Sequence, residues 1–152
     1  MSNLRIGISL YGLSIVVLQA LPNILWRLFP PSVDSLDGNS SSVPFIEYGE
    51  HILGVVTVVT LVILIQRGHE KEFPRGKAAI AAYAAIGLYW LCWALYFCEV
   101  QPLFVIYAMV VLPPIAFSCA GLAERVFPVS ILSAVFAVFH VVVCLENFPI
   151  GG

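Results

Sequence analysis

Five apolar stretches constrain what this chain can fold into, each close to the roughly 20 residues needed to cross a hydrocarbon core about 30 Å thick. They run from about 6 to 29, 45 to 66, 78 to 98, 103 to 123 and 127 to 148. Inside a bilayer every backbone N–H and C=O must be satisfied within the segment, which a helix does and an irregular coil does not. The sequence therefore predicts an all-α integral membrane protein, an antiparallel bundle of five transmembrane helices forming a single domain over residues 1–152. Composition excludes the soluble alternative: 61% of residues are hydrophobic and 11% are charged, against about 25% charged in an ordinary soluble domain.

Turn chemistry separates the stretches. Pro30-Pro31 and the Ser/Asp/Gly/Asn-rich run to Pro44 end the first, and Gly68 to Lys77, with Pro74, ends the second. Glu99 to Pro102 and the pair Glu124-Arg125 are short connections that force antiparallel hairpins. Leu18-Gln19-Ala20 does not make a small-x-small cleavage site and the apolar run continues past it, so the first stretch is expected to be a retained helix, not a signal peptide.

Lys and Arg in short loops orient such a bundle. Arg5, Arg67, Lys71, Arg75, Lys77 and Arg125 all fall on alternate connections, which makes that side cytoplasmic. The opposite loops carry Asp34, Asp37 and Glu99 and no basic residue. The expected topology has the N-terminus cytoplasmic and the C-terminus outside, in a multi-pass protein of the cell (cytoplasmic) membrane. Arg27, at the outer end of the first helix, breaks the charge pattern and is expected to pair with Glu47 or Glu50.

Two helices have unusual texture. Ala78, Ala81, Ala82, Ala84, Ala85 and Gly87 make half of the third helix smooth, which permits close packing in lipid. Its other half carries Tyr89, Trp90, Trp93, Tyr96 and Phe97, the composition of an interfacial aromatic belt. Pro113-Pro114 sits mid-way along the fourth helix. It deprives the carbonyls of Met109 and Val110 of their usual donors, to be replaced by a neighbouring helix, a hydroxyl such as Ser118, or water.

Once oriented, the intramembrane polar residues gather in the outer half. Gln19, Asn23 and Arg27 recur at intervals of four on the first helix, and Glu47, Glu50 and His51 share a face of the second. Glu99 ends the third, and His140 with Glu146 lies on the last. At about 1.5 Å per residue, Asn23, His51 and His140 lie about 10 Å below the outer helix ends. Ionisable groups at that depth are costly unless paired or wetted, so they ordinarily face the bundle interior. The candidate ligand-binding set is Gln19, Asn23, Arg27, Glu47, Glu50, His51, Glu99, His140 and Glu146.

Function is less constrained. The leading expectation is binding or transport of a small molecule or lipid in an outward-facing polar pocket. The alternatives are an intramembrane enzyme acting on a lipid or isoprenoid, and a structural subunit of a larger membrane complex. Nothing marks a nucleophile except Cys144, one turn from His140. Glu50, His51, His140 and Glu146 could offer metal ligands, but the spacing is not that of a helical zinc motif, and no metal or other cofactor is expected. The four cysteines show no C-x-x-C spacing, although Cys98 and Cys144 fall toward one face and could pair in an oxidising compartment. Asn39-Ser40-Ser41 satisfies the N-glycosylation pattern. Expected partners are membrane lipids, a small-molecule or lipid ligand, and a second copy or another membrane protein; no basic aromatic surface suits a nucleic acid.

Overall fold

A computed structural model of the chain describes residues 4–67 and 73–150. It contains five helices: α1 (Leu10–Leu28), α2 (Pro44–Ile63), α3 (Lys77–Phe97), α4 (Leu103–Ala123) and α5 (Phe127–Asn147). All five are long and apolar enough to cross a membrane. Lys71 and the rest of residues 68–72 lie outside the described residues.

Local chemistry sets the helix limits. The Ser9 hydroxyl accepts the Gly12 N–H at 2.7 Å and so caps α1, while α2 and α5 begin with a proline in the first turn, where no intrahelical donor is lost. α3 and α4 stop at Glu99 (φ 62) and Arg125 (φ 58). In these left-handed turns, Val100 N–H reaches back to the Leu95 carbonyl and Val126 N–H to that of Gly121.

The first two expected spans overrun at one end. Residues 6–9 and 64–66 are not helical: β1 (Leu4–Ile6) and β2 (Leu64–Gln66) pair antiparallel, with Arg5 opposite Ile65. Gly7 N–H and Ser9 N–H extend the pairing to the carbonyls of Ile63 and Val62. The β-branched run from Val55 to Ile65 has little preference for helix once a partner strand is offered.

α4 is the hub. Half of its most apolar window is buried, compared with 11% for α2, and it packs along both α3 and α5. α5 in turn packs on α2, and α1 closes the ring between α2 and α3. The smooth stripe of α3 divides: Ala82 and Ala85 join Ala79 in the core beside Ala116 and Ala120 of α4, whereas Ala81, Ala84 and Gly87 face outward. The bundle has one end covered by residues 30–43, the loop end, and an opposite end that carries the β1–β2 ladder.

The proline pair leaves α4 helical throughout. Ser133 donates to the Pro114 carbonyl at 2.7 Å and Ser130 to that of Ser118 at 3.0 Å. The Ser118 hydroxyl therefore does not fill the expected role; α5 supplies hydroxyls one turn further along. Among the described residues no side chain donates to the carbonyl of Met109 or Val110. Ser133→Ala should lower the melting temperature by the equivalent of about 0.6 kcal/mol, the average worth of an interhelical hydrogen bond in a bilayer, with the helical circular-dichroism signal unchanged.

At the ladder end Ser9 also donates to the carboxylate of Glu124. Burial pushes the Glu124 carboxyl above its ordinary pKa, and the Ser9 hydrogen bond opposes the shift only in part. The folded chain thus holds this proton more tightly than the unfolded chain does. Stability from this group is greatest at acid pH and is lost as pH rises from the ordinary carboxylate range through the raised pKa. Melting curves over that interval should slope downward for the native sequence and flatten in Glu124→Gln.

A candidate ligand cavity

Small residues on α2 bring two polar side chains together across the bundle. A Cβ on Gly49 would collide with the Phe139 ring and one on Gly54 would lie 3.3 Å from that of Phe136, so α2 and α5 approach closely along this face. Between these contacts Glu50 meets Nδ1 of His140, and the imidazole stacks on Phe136 with ring centroids 4.9 Å apart. Their side chains are only 14% and 24% exposed, which makes this a shielded pair.

α1 and α3 form the opposite wall. Asn23 donates to the Tyr89 hydroxyl at 2.7 Å and to the Gln19 carbonyl at 3.1 Å, and Trp26 packs on Trp93. Residues 30–43 then cross the end of the bundle. The Asp34 carboxylate accepts from Trp26 Nε1 at 3.1 Å and from the Tyr96 hydroxyl, while Gln101 Oε1 accepts from the Ser35 hydroxyl and N–H. On the far side Glu146 accepts from the Ser41 hydroxyl at 2.9 Å and Ser42 N–H at 3.1 Å, and Asn147 donates to the Ser40 carbonyl at 2.9 Å.

Under this roof lies a cavity of about 530 Å³ with walls from all five helices and the loop, within the range of small-molecule sites. Phe117, Phe136 and Val58 supply apolar surface, and Met109, Val110 and Pro113 form the α4 wall. Thus the two residues whose carbonyls the proline pair deprives of donors are both cavity residues. Gln19 is 4% exposed and neither atom of its amide has a protein partner; Trp93 is 3% exposed and its Nε1 has none either. The Tyr89 hydroxyl lies near both but does not meet hydrogen-bond geometry with either one. Asn39 Oδ1 is a further buried acceptor at the cavity without a partner. A buried amide or indole N–H left unmatched costs about 1–3 kcal/mol, which fits a site built for a polar group that the chain itself does not supply.

Five of the nine residues singled out from the sequence line this cavity: Gln19, Asn23, Glu50, His51 and His140. The other four stand elsewhere. Glu47 accepts the Ser41 N–H at 2.7 Å, and its backbone carbonyl receives His51 Nδ1 at 2.7 Å. Glu146 belongs to the roof, and Glu99 is exposed in the α3–α4 turn. Arg27 is exposed and forms no ion pair with Glu47 or Glu50. Its place in the last turn of α1 gives it a different partner, the partly negative carbonyl end of the helix.

Ligand atoms of Glu47, Glu50 and His51 lie within 4.8 Å of one another, a spacing a cation could bridge. Glu146, the expected fourth ligand, is engaged by Ser41 and Ser42, and Glu50 is committed to His140. Cys98 is exposed and Cys144 buried; both are free thiols. In the sequence Trp93 reads as part of an interfacial belt and Asn39 only as a glycosylation acceptor, not as cavity residues. The i, i+4, i+7 spacing of Tyr89, Trp93 and Tyr96 was the available sign that these rings share a buried face.

No family model, curated protein or solved structure matches this chain. The chemistry of the cavity therefore carries the functional argument.

Proposed function

We propose that this is a multi-pass protein of the cell membrane that binds, or passes on, a small molecule or lipid in the cavity at the loop end. Its N-terminus is cytoplasmic and its C-terminus and roofed end lie outside, because six of its seven basic residues occupy the opposite connections. A cysteine-accessibility scan that labelled residues 34–42 from the cytoplasm would overturn that orientation.

One observation carries the binding reading: a buried glutamine with both amide atoms unmatched, at the wall of a cavity large enough for a ligand. A glutamine kept only to hold helices together would be bonded to one of them. Gln19→Leu separates the two roles. A ligand-contacting Gln19 predicts that the ligand-free variant melts higher, by the equivalent of about 1–2 kcal/mol, since an unmatched amide has been removed. It also predicts that lipids or metabolites retained through detergent purification, identified by mass spectrometry, are lost. A lower melting point with unchanged retained molecules would favour a packing role and defeat the proposal.

The Glu50–His140 pair supports a second reading, an intramembrane enzyme. A carboxylate and an imidazole in contact at a cavity wall are the groups that general acid–base chemistry uses. Consumption of a lipid or isoprenoid by the purified protein, abolished in Glu50→Gln, would establish it over simple binding.

A further inference from the structure

The lining of the cavity narrows the class of ligand, an inference that rests on the binding reading above. Among the described residues its ionisable side chains are Glu50, His51, His140 and Tyr89, with no Lys or Arg. Arg27 is exposed and is not among the lining residues. A phosphate or carboxylate head would enter without the charge-assisted donors that such groups require. A cationic head would meet a single carboxylate, that of Glu50, whose Oε1 is already engaged by His140.

The unmatched groups are instead neutral and of both kinds. Trp93 Nε1–H and the Gln19 NH₂ are donors, while Gln19 Oε1 and Asn39 Oδ1 are acceptors. An occupant that satisfies them must carry at least one carbonyl-type oxygen and at least one hydroxyl or N–H, and no charged group.

Access distinguishes a lipid from a water-soluble molecule of the same head chemistry. The aqueous end is crossed by the loop, bonded to Trp26 and Tyr96 on one side and to Glu146 and Asn147 on the other. α1 and α2 are pressed together at the ladder end, where Gly12 lies against the Leu61 carbonyl. Toward the loop end they contribute Asn23 and His51, cavity residues that are nevertheless exposed, with the His51 side chain 68% exposed. Cavity residues exposed on both helices reach the flank of the bundle, which in a bilayer faces acyl chains.

We infer that the cavity receives the uncharged head of a single-chain lipid bearing both a carbonyl and a hydroxyl or amide N–H, such as a monoacylglycerol or a fatty acyl amide, which enters between α1 and α2. The head meets Gln19 and Trp93, the first part of the chain lies against Phe117 and Phe136, and the remainder stays in the membrane.

The test uses the purified full chain in detergent with four probes: monooleoylglycerol, oleoyl-lysophosphatidic acid, oleoyl-lysophosphatidylcholine and the water-soluble monoacetylglycerol. Binding is read by the shift in melting temperature and by quenching of tryptophan emission with brominated acyl chains. The background is Trp90→Phe, because Trp90 bonds to the Leu18 carbonyl and is not a cavity residue. Monooleoylglycerol should quench Trp26 and Trp93 and raise the melting temperature. The anionic and the zwitterionic lysolipid should each bind at least tenfold more weakly, and Gln19→Leu should weaken monooleoylglycerol about tenfold, the worth of one well-made hydrogen bond. Equal or tighter binding of either lysolipid, still weakened by Gln19→Leu, overturns the head-group inference while leaving the binding site in place. Monoacetylglycerol matching monooleoylglycerol overturns the lipid and its side entry. If no probe binds and Gln19→Leu changes neither readout, the site reading fails together with this one.

Discussion

Gly12→Val should remove the folded bundle from solution. A Cβ at this position would lie 2.3 Å from the Leu61 carbonyl oxygen and 3.1 Å from both its carbon and the Ser9 hydroxyl. The obstacle is main chain, so no side-chain rotation relieves it. α2 cannot withdraw without breaking the Gly7–Ile63 and Ser9–Val62 hydrogen bonds and the β1–β2 ladder beyond them. Displacing Ser9 would also remove the cap of α1 and the donor to Glu124. Overpacking alone costs about 1–3 kcal/mol, and a lost cap adds about 1. Their sum approaches the lower end of the roughly 5–15 kcal/mol that holds a folded protein together. The expected result is an aggregated or absent peak on size-exclusion chromatography, with Gly12→Ala folded but melting lower. Gly87→Ala is the control, since nothing lies within 4 Å of the new methyl group and helix propensity favours alanine by up to about 1 kcal/mol. Equal tolerance of alanine at both positions would mean that α1 and α2 do not meet as described.

That contact also marks where sequence reading stopped. The helices were legible because hydropathy over about 20 residues is a long-range average that one or two residues do not disturb. The ends of the first two were not, because Leu4 to Ile6 and Leu64 to Gln66 are nearly as apolar as the helices they adjoin. Whether such residues coil or pair depends on a partner strand about 60 positions away. Depth likewise singled out His140, since an ionisable group at that level needs a partner and few were on offer. It failed for Arg27, whose pairing depended on the distance between α1 and α2 at the loop end. Gln19 was recognised as part of a polar stripe, but whether its amide is matched is a property of every helix around it. The roof was least legible of all, because Asp34, Ser41 and Asn147 find their partners only after the loop has crossed the bundle.

Removing one member of the Glu50–His140 pair should destabilise the protein more than removing both. His140→Ala leaves the Glu50 carboxylate, 14% exposed, without its partner at a depth where an unpaired charge is disfavoured. Loss of one side of a buried ion pair costs about 3–5 kcal/mol. A neutral interhelical hydrogen bond in a bilayer is worth only about 0.6, so the size of the loss reports what kind of contact this is. Glu50→Gln keeps a hydrogen-bonding group beside the imidazole and should cost about 1 kcal/mol. The double variant Glu50→Leu/His140→Leu leaves no polar group unmatched and should recover much of the loss, although it gives up the stacking of His140 on Phe136. Melting temperatures of the native protein, the double variant and its two components, Glu50→Leu and His140→Leu, close the cycle, and a coupling near zero would show that the pair contributes nothing as a pair. The same four proteins also address function, because the apolar double variant leaves Gln19 and Trp93 untouched. Retained lipid binding in a stable double variant would make the pair a fastener between α2 and α5, with recognition residing on the α1–α3 wall. Binding lost while stability is regained would place the carboxylate and imidazole among the groups that meet the ligand, which is the arrangement the enzyme reading requires.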